Sequence, residues 1–214
     1  MQVTEIKDNR LVGVNHVETP NMSGSILGPR FITMHYTAGP SWQRAVSNFQ
    51  KPSHKASAHV VIGRDATTTQ LAPFNRITWH AGKSFWKPAQ GQGRILGLRR
   101  LNRFSIGIEL VNAGPLRRRA DGEFFTWWGA RIPEEEVFEV DPEERGSFGR
   151  RYWHRFPEEQ IWRATEIVQA LRAHYSTIED VLGHSDISPG RKTDPGPAFP
   201  LEHIRSISEG RNVC

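Results

Sequence analysis

With 214 residues, 37% hydrophobic and 24% charged, the chain has the make-up of an ordinary globular protein long enough to bury a core without staples. Its single cysteine, Cys214, is read as a frayed, reactive tail and leaves no partner for an intrachain disulfide, and no apolar run approaches the roughly 20 residues that a membrane helix needs. The balance of 28 Lys+Arg against 23 Asp+Glu gives a net charge of +5, which favours anionic partners; without zinc-finger spacing, an aromatic RNA-binding signature or basic heptads, nucleic acid is not expected among them.

In chain order, the first clear element is "FITMHY" (31–36), a buried strand after Gly-Pro punctuation. "SWQRAVSNFQ" (41–50) starts on a capping serine and spaces Trp42, Ala45, Val46 and Phe49 along one helix face. "AHVVIGRDATTTQLAP" reads as two strands joined at Arg64-Asp65-Ala66, where Ala66 stands at a place that often needs glycine. "FSIGIELVN" (104–112) has strand propensity.

From 113 to 156 the character changes. The basic runs 94–103, 116–119 and 145–155 flank or enter this stretch, no period of 2 or 3.6 is sustained, and it reads as a surface insertion, a lid or a hairpin. Composition alone suggests that Trp127, Trp128 and Trp153 form one wall of a groove. "PEEQIWRATEIVQALRAHY" (157–175) is the clearest helix, with Pro157 in its first turn, Glu158 and Glu159 at its positive end, and Ile161, Ala164, Val168, Leu171 and Tyr175 at helical spacing. "EDVLG" and then a closing helix in "LEHIRSISEG" complete the pattern. Strands and helices alternate without repeats, which predicts an α/β fold, a mixed central sheet flanked by helices, in one domain over 1–214 with core motifs at 30–112 and 157–200.

The chemistry concentrates in "GHSDISPGRKTDPGPAF" (183–199). Its prolines and glycines predict a loop throughout, and loops on a rigid scaffold carry function. Asp194 has little backbone freedom ahead of Pro195. His35, at the end of the first strand, can point into a cleft at the sheet's edge. Two imidazoles and one carboxylate with a fourth position left for water is a catalytic zinc arrangement, so His35, His184 and Asp194 are candidate ligands. A hydrogen-bonded core histidine at 35 and a turn-capping aspartate at 194 are the plainer alternatives.

Taken together, "FITMHYTAG", "SAHVVIGRD", "QLAPFNRITWHAG", "SIGIELVN" and "GHSDISPGRKTDPGPAF" resemble the zinc-dependent N-acetylmuramoyl-L-alanine amidases, the family of muropeptide-recycling amidases, phage lysozyme-like amidases and peptidoglycan recognition proteins. The resemblance implies Zn²⁺ on His35, His184 and Asp194, with aspartate where some members have cysteine. It also implies catalytic roles for Glu109 as proton carrier and Lys192 as oxyanion partner. Within the matching blocks His59 is read as structural, Asp186 as a brace for the loop, and Trp79 and His80 as cleft wall and substrate contacts, with zinc ligation by His80 as a minority alternative. His16, His54, His154, His174 and His203 carry no motif and are expected at the surface.

The implied activity is hydrolysis of the amide between N-acetylmuramic acid and L-alanine in peptidoglycan or muropeptides; a recognition module that binds without cleaving is the alternative. The opening "MQVTEIKDNR" has no apolar leader segment, so a cytoplasmic location is expected, with export by a phage or secretion route as the other case. No membrane insertion is expected, and the oligomeric state is not read from the sequence.

Overall fold

The chain's structure, a computed structural model, describes residues 4–87, 97–141 and 149–208; Cys214 and parts of the basic runs 94–103 and 145–155 lie outside them. Six strands form the main sheet in the order Asp180–Gly183, Phe31–Tyr36, Ser105–Leu110, Val60–Ile62, Thr68–Gln70, Asn15–His16. The first four run parallel, Val60–Ile62 and Thr68–Gln70 pair antiparallel as a hairpin, and the edge strand Asn15–His16 is parallel to its neighbour. In the hairpin turn Ala66 does adopt a positive φ of 62°, with the Asp65 carboxylate accepting from the Thr67 amide.

Strand alternation sorts the side chains onto two faces. One face carries Ile32, Met34, Ile106, Ile108, Leu110, Val60 and Val181 into the largest apolar cluster. Helix α2, Glu158–His174, covers that face with Ala164, Ile167, Val168 and Leu171, and α4, Leu201–Ser208, adds Ile204. The opposite face therefore presents Thr33, His35, Ser105, Gly107 and Glu109. Helix α1, Trp42–Phe49, covers part of it with Ala45, Val46 and Phe49, and the Ser41 hydroxyl accepts from the Arg44 amide as its cap.

Three local expectations change. Pro157 is the N-cap of α2 rather than part of its first turn, and Gln160, Thr165 and Ile167 are buried where Ile161 and Tyr175 are only partly so. The 183–199 segment is not loop throughout: α3, His184–Ile187, makes one helical turn before Pro189. Asp186 holds that turn, accepting from the Gly183 amide at 2.8 Å and from Arg205 at 2.7 Å.

The described residues of 113–156 include two small antiparallel sheets, one of Arg117–Arg118, Phe124–Phe125 and Arg131–Ile132, the other of Val137–Glu139 with Tyr152–His154. Two residues expected at the surface or on a groove wall are interior. Trp153 is 1% exposed, and its ring lies so close to Gly196 that a Cβ there would sit 2.7 Å from it. His154 is buried because both its nitrogens are satisfied: Nδ1 accepts from the Ala113 amide at 3.1 Å, and Nε2 meets Glu136 at 2.9 Å. Among the described residues no helix is long and apolar enough to cross a membrane.

Candidate metal centre

The site sits at the carboxyl ends of the parallel strands, where open sheets of this kind place their ligands. His35 is the fifth residue of its strand, His184 opens α3 directly after the neighbouring strand, and Asp194 returns ten positions later. Their atoms form a triangle: His35 Nδ1 to His184 Nδ1, His35 Nδ1 to Asp194 Oδ2, and His184 Nδ1 to Asp194 Oδ2 are each 2.9 Å. All three residues are buried.

The far sides of the two rings decide what that triangle can hold. His184 Nε2 lies 3.2 Å from the Ala81 carbonyl, which only accepts, and 3.4 Å from Arg191 Nη2, which only donates; with the proton on Nε2 toward the closer carbonyl, Nδ1 is bare. His35 Nε2 lies 3.0 Å from His80 Nδ1, and His80 Nε2 faces the Ser105 carbonyl at 3.3 Å and its hydroxyl at 3.2 Å. The Ser105 hydroxyl already donates to Leu101 O, so both Ser105 oxygens accept from His80. His80 is thus protonated on Nε2, its Nδ1 accepts from His35, and His35 Nδ1 is bare as well. Two lone pairs and a carboxylate oxygen converge with no proton among them. That donor set fits a cation, and two imidazoles with one carboxylate are suited to zinc.

Burial pushes the His35 imidazole down to about 4, with the His184 charge adding to it against the Asp194 contacts, so its lone pair is free at neutral pH.

Glu109 is the register partner of His35 in the adjacent strand and shares its face. Among the described residues its Oε2 is buried without a hydrogen-bond partner, a costly state for an isolated carboxylate. Burial first, then the Asp194 charge, raises this carboxyl to about 8, while Lys192 pulls it back. Glu109, Lys192, His184 and Asp194 line one cleft of about 370 Å³, with Trp79 on its wall. Lys192 is exposed there. His80 also borders this cleft, but its nitrogens face His35 and Ser105.

His59 is buried behind, its Nδ1 accepting from the Gly107 amide and Nε2 facing the Arg76 carbonyl. Sequence reasoning missed two supports. Arg191 reaches back to the carbonyls of Ala81 and Lys83, and the Tyr36 hydroxyl meets Thr193 at 2.9 Å. Their only sequence signal was adjacency to His35 and Lys192.

A family model described as N-acetylmuramoyl-L-alanine amidase matches residues 26–197. Over 161 residues the chain is 33% identical to the 1,6-anhydro-N-acetylmuramyl-L-alanine amidase AmpD of Enterobacter cloacae, covering 74% of this chain and 61% of that protein. It is 32% identical over 136 residues to the N-acetylmuramoyl-L-alanine amidase AmiD of Escherichia coli, covering 63% of this chain and 36% of that one. The chain therefore spans less than two thirds of the length of these curated relatives. A crystal structure of a selenomethionine AmpD derivative shares the fold, with a TM-score of 0.63 at 23% identity, covering 94% of this chain and 98% of that one.

Proposed function

The chain belongs to the N-acetylmuramoyl-L-alanine amidase family, and on that premise we propose that it hydrolyses the amide joining N-acetylmuramic acid to the L-alanine of the stem peptide, in peptidoglycan or in muropeptides, with Zn²⁺ held by His35, His184 and Asp194. The observation that carries this reading is that Glu109, with its unpartnered oxygen, lines the same cleft as His184 and Asp194 of the triangle. Bound there, Zn²⁺ supplies Lewis-acid activation of water and polarisation of the amide carbonyl.

The protein's own groups do the rest. Glu109 takes a proton from the attacking water and delivers it to the departing alanine nitrogen. Lys192 and a nearby cation favour its carboxylate form against the burial that favours the acid. The Lys192 ammonium faces the oxyanion that develops as the carbonyl is attacked, a contribution of about 3 kcal/mol in comparable donors. Trp79 offers an aromatic wall to sugar or peptide. The rim continues into the 113–156 segment, where Trp127 is 61% exposed and its indole N–H donates to Ala38 O at 2.9 Å. Ala38 itself lines the cleft.

Digestion of purified muropeptides followed by mass spectrometry tests the reading, with free stem peptide beginning in L-alanine as the expected product. Tight binding of intact muropeptide without cleavage would instead make the chain a recognition module. Running intact sacculi beside soluble muropeptides separates a wall-degrading role from fragment recycling in the cytoplasm.

A further inference from the structure

We propose that His80 is a positioning residue for the metal centre, accepting the His35 Nε2 proton and so fixing which nitrogen His35 turns to the ion. The inference rests on the zinc reading above and replaces the expected substrate contact with a structural relay. Its direction is set at the far end, where Ser105 can only accept, and is passed through two imidazoles to His35 Nδ1.

The surroundings are shaped to hold the His80 ring in place. Gly107 lies beneath it, and a Cβ at that position would come within 2.4 Å of His80 Cγ. The Gly107 amide donates to His59 Nδ1, which ties the same backbone point to a second buried ring. The His80 and His35 rings meet edge-on, with centroids 5.1 Å apart at 79°. No ring nitrogen is left over for substrate.

Partners of this kind orient a metal-binding histidine and raise its basicity, and their loss costs about 10–100-fold in metal affinity. His80→Phe keeps a ring and removes the acceptor. His80→Asn keeps a carbonyl oxygen near the position of Nδ1. Zinc affinity measured by chelator competition on the full chain should fall about 10–100-fold in His80→Phe and stay within about threefold of wild type in His80→Asn. Circular-dichroism melts of the metal-free proteins report whether each variant folds. Should His80→Phe fail to fold, His80→Asn and ¹H–¹⁵N spectra of metal-free wild type decide, the latter expected to show protons on Nε2 of both His35 and His80. Wild-type affinity in His80→Phe, a loss in His80→Asn equal to that in His80→Phe, or an Nδ1 proton on His35 would overturn the proposal. A wild-type chain that takes up no zinc would overturn the metal reading itself.

Discussion

His154 and His184 are both buried histidines beside a carboxylate, yet they are treated in opposite ways. In the 113–156 segment, His154 has an amide donor on Nδ1 and Glu136 on Nε2, Arg64 meets the same Glu136 oxygen at 2.6 Å, and Asn112 bonds both the His154 carbonyl and the Gly114 amide. Every one of these polar groups closes on a partner. At the sheet ends, His184 and His35 turn bare nitrogens toward each other, and Glu109 keeps an oxygen without a partner. Burying an unsatisfied group costs free energy, so proteins retain such groups where chemistry requires them. Between these two histidines the difference marks function where residue type and burial do not, although single unpartnered atoms such as Gln160 Oε1 also occur away from the site.

The largest test of that contrast removes one histidine from each side. His184→Ala should abolish stoichiometric zinc, read by metal analysis, and take muropeptide hydrolysis below detection. His154→Ala should leave bound zinc unchanged and lower only the melting temperature. Full zinc occupancy in His184→Ala would mean that the triangle is not the metal site.

Glu109→Gln is the next step down. It should keep zinc and lose about 10²–10⁴ in kcat, the range for a positioned proton carrier. A wild-type rate in this variant would remove Glu109 from the mechanism. Its stability should move the other way in the metal-free protein. The folded carboxyl is raised to about 8 from an ordinary 4.5, so the stability it contributes is fully present below about 4.5 and is lost as pH climbs toward 8. Glutamine does not titrate. The melting temperature of metal-free Glu109→Gln should therefore exceed that of wild type most above pH 8, with the gap closing toward pH 4.5.

Trp153 tests the claim that the 113–156 segment is architecture. It packs under Gly196 in the site loop, and its ring lies 6.4 Å from that of Tyr36. Trp153→Ala should cost about 3–5 kcal/mol of unfolding free energy in denaturant titrations, as expected for deleting a buried aromatic. A loss below about 1 kcal/mol would mean that the segment sits on the fold without supporting it.

What could be read from the sequence follows from where the partners lie along the chain. The strands at 31–36 and 105–110 and helix α2 carry their own periodicity, which local reading detects. Alternation also places His35 and Glu109 on matching faces once the two strands pair in register. The burial of Trp153 and His154 had no such signal, because what covers them comes from Gly196, Tyr36, Ala113 and Glu136, and the runs around them are too short to show a period. His80 was legible as part of a motif but not in its orientation. That depends on the space left above Gly107 and on an acceptor at Ser105, 25 residues away.

The smallest expected effect lies where the two regions meet. Trp127 belongs to the 113–156 segment but donates to Ala38, three residues beyond His35, and Ala38 holds a left-handed φ of 49°. Trp127 stacks edge-on against Trp128, which packs on the insertion's own apolar cluster, so the indole is held from behind while its face stays open. If that face is a cleft wall, Trp127→Ala should raise KM for muropeptide about two- to tenfold, matching the 0.5–1.5 kcal/mol of an aromatic contact, with little change in kcat. Trp127→Phe separates the two things the indole does. Phenylalanine keeps a ring and loses the bond to Ala38, so a KM near wild type would assign the effect to the open face. An effect as large as that of alanine would assign it to the bond that fixes the loop after His35. Equal kinetics in all three proteins would leave the insertion out of substrate binding and confine the chemistry to the sheet ends.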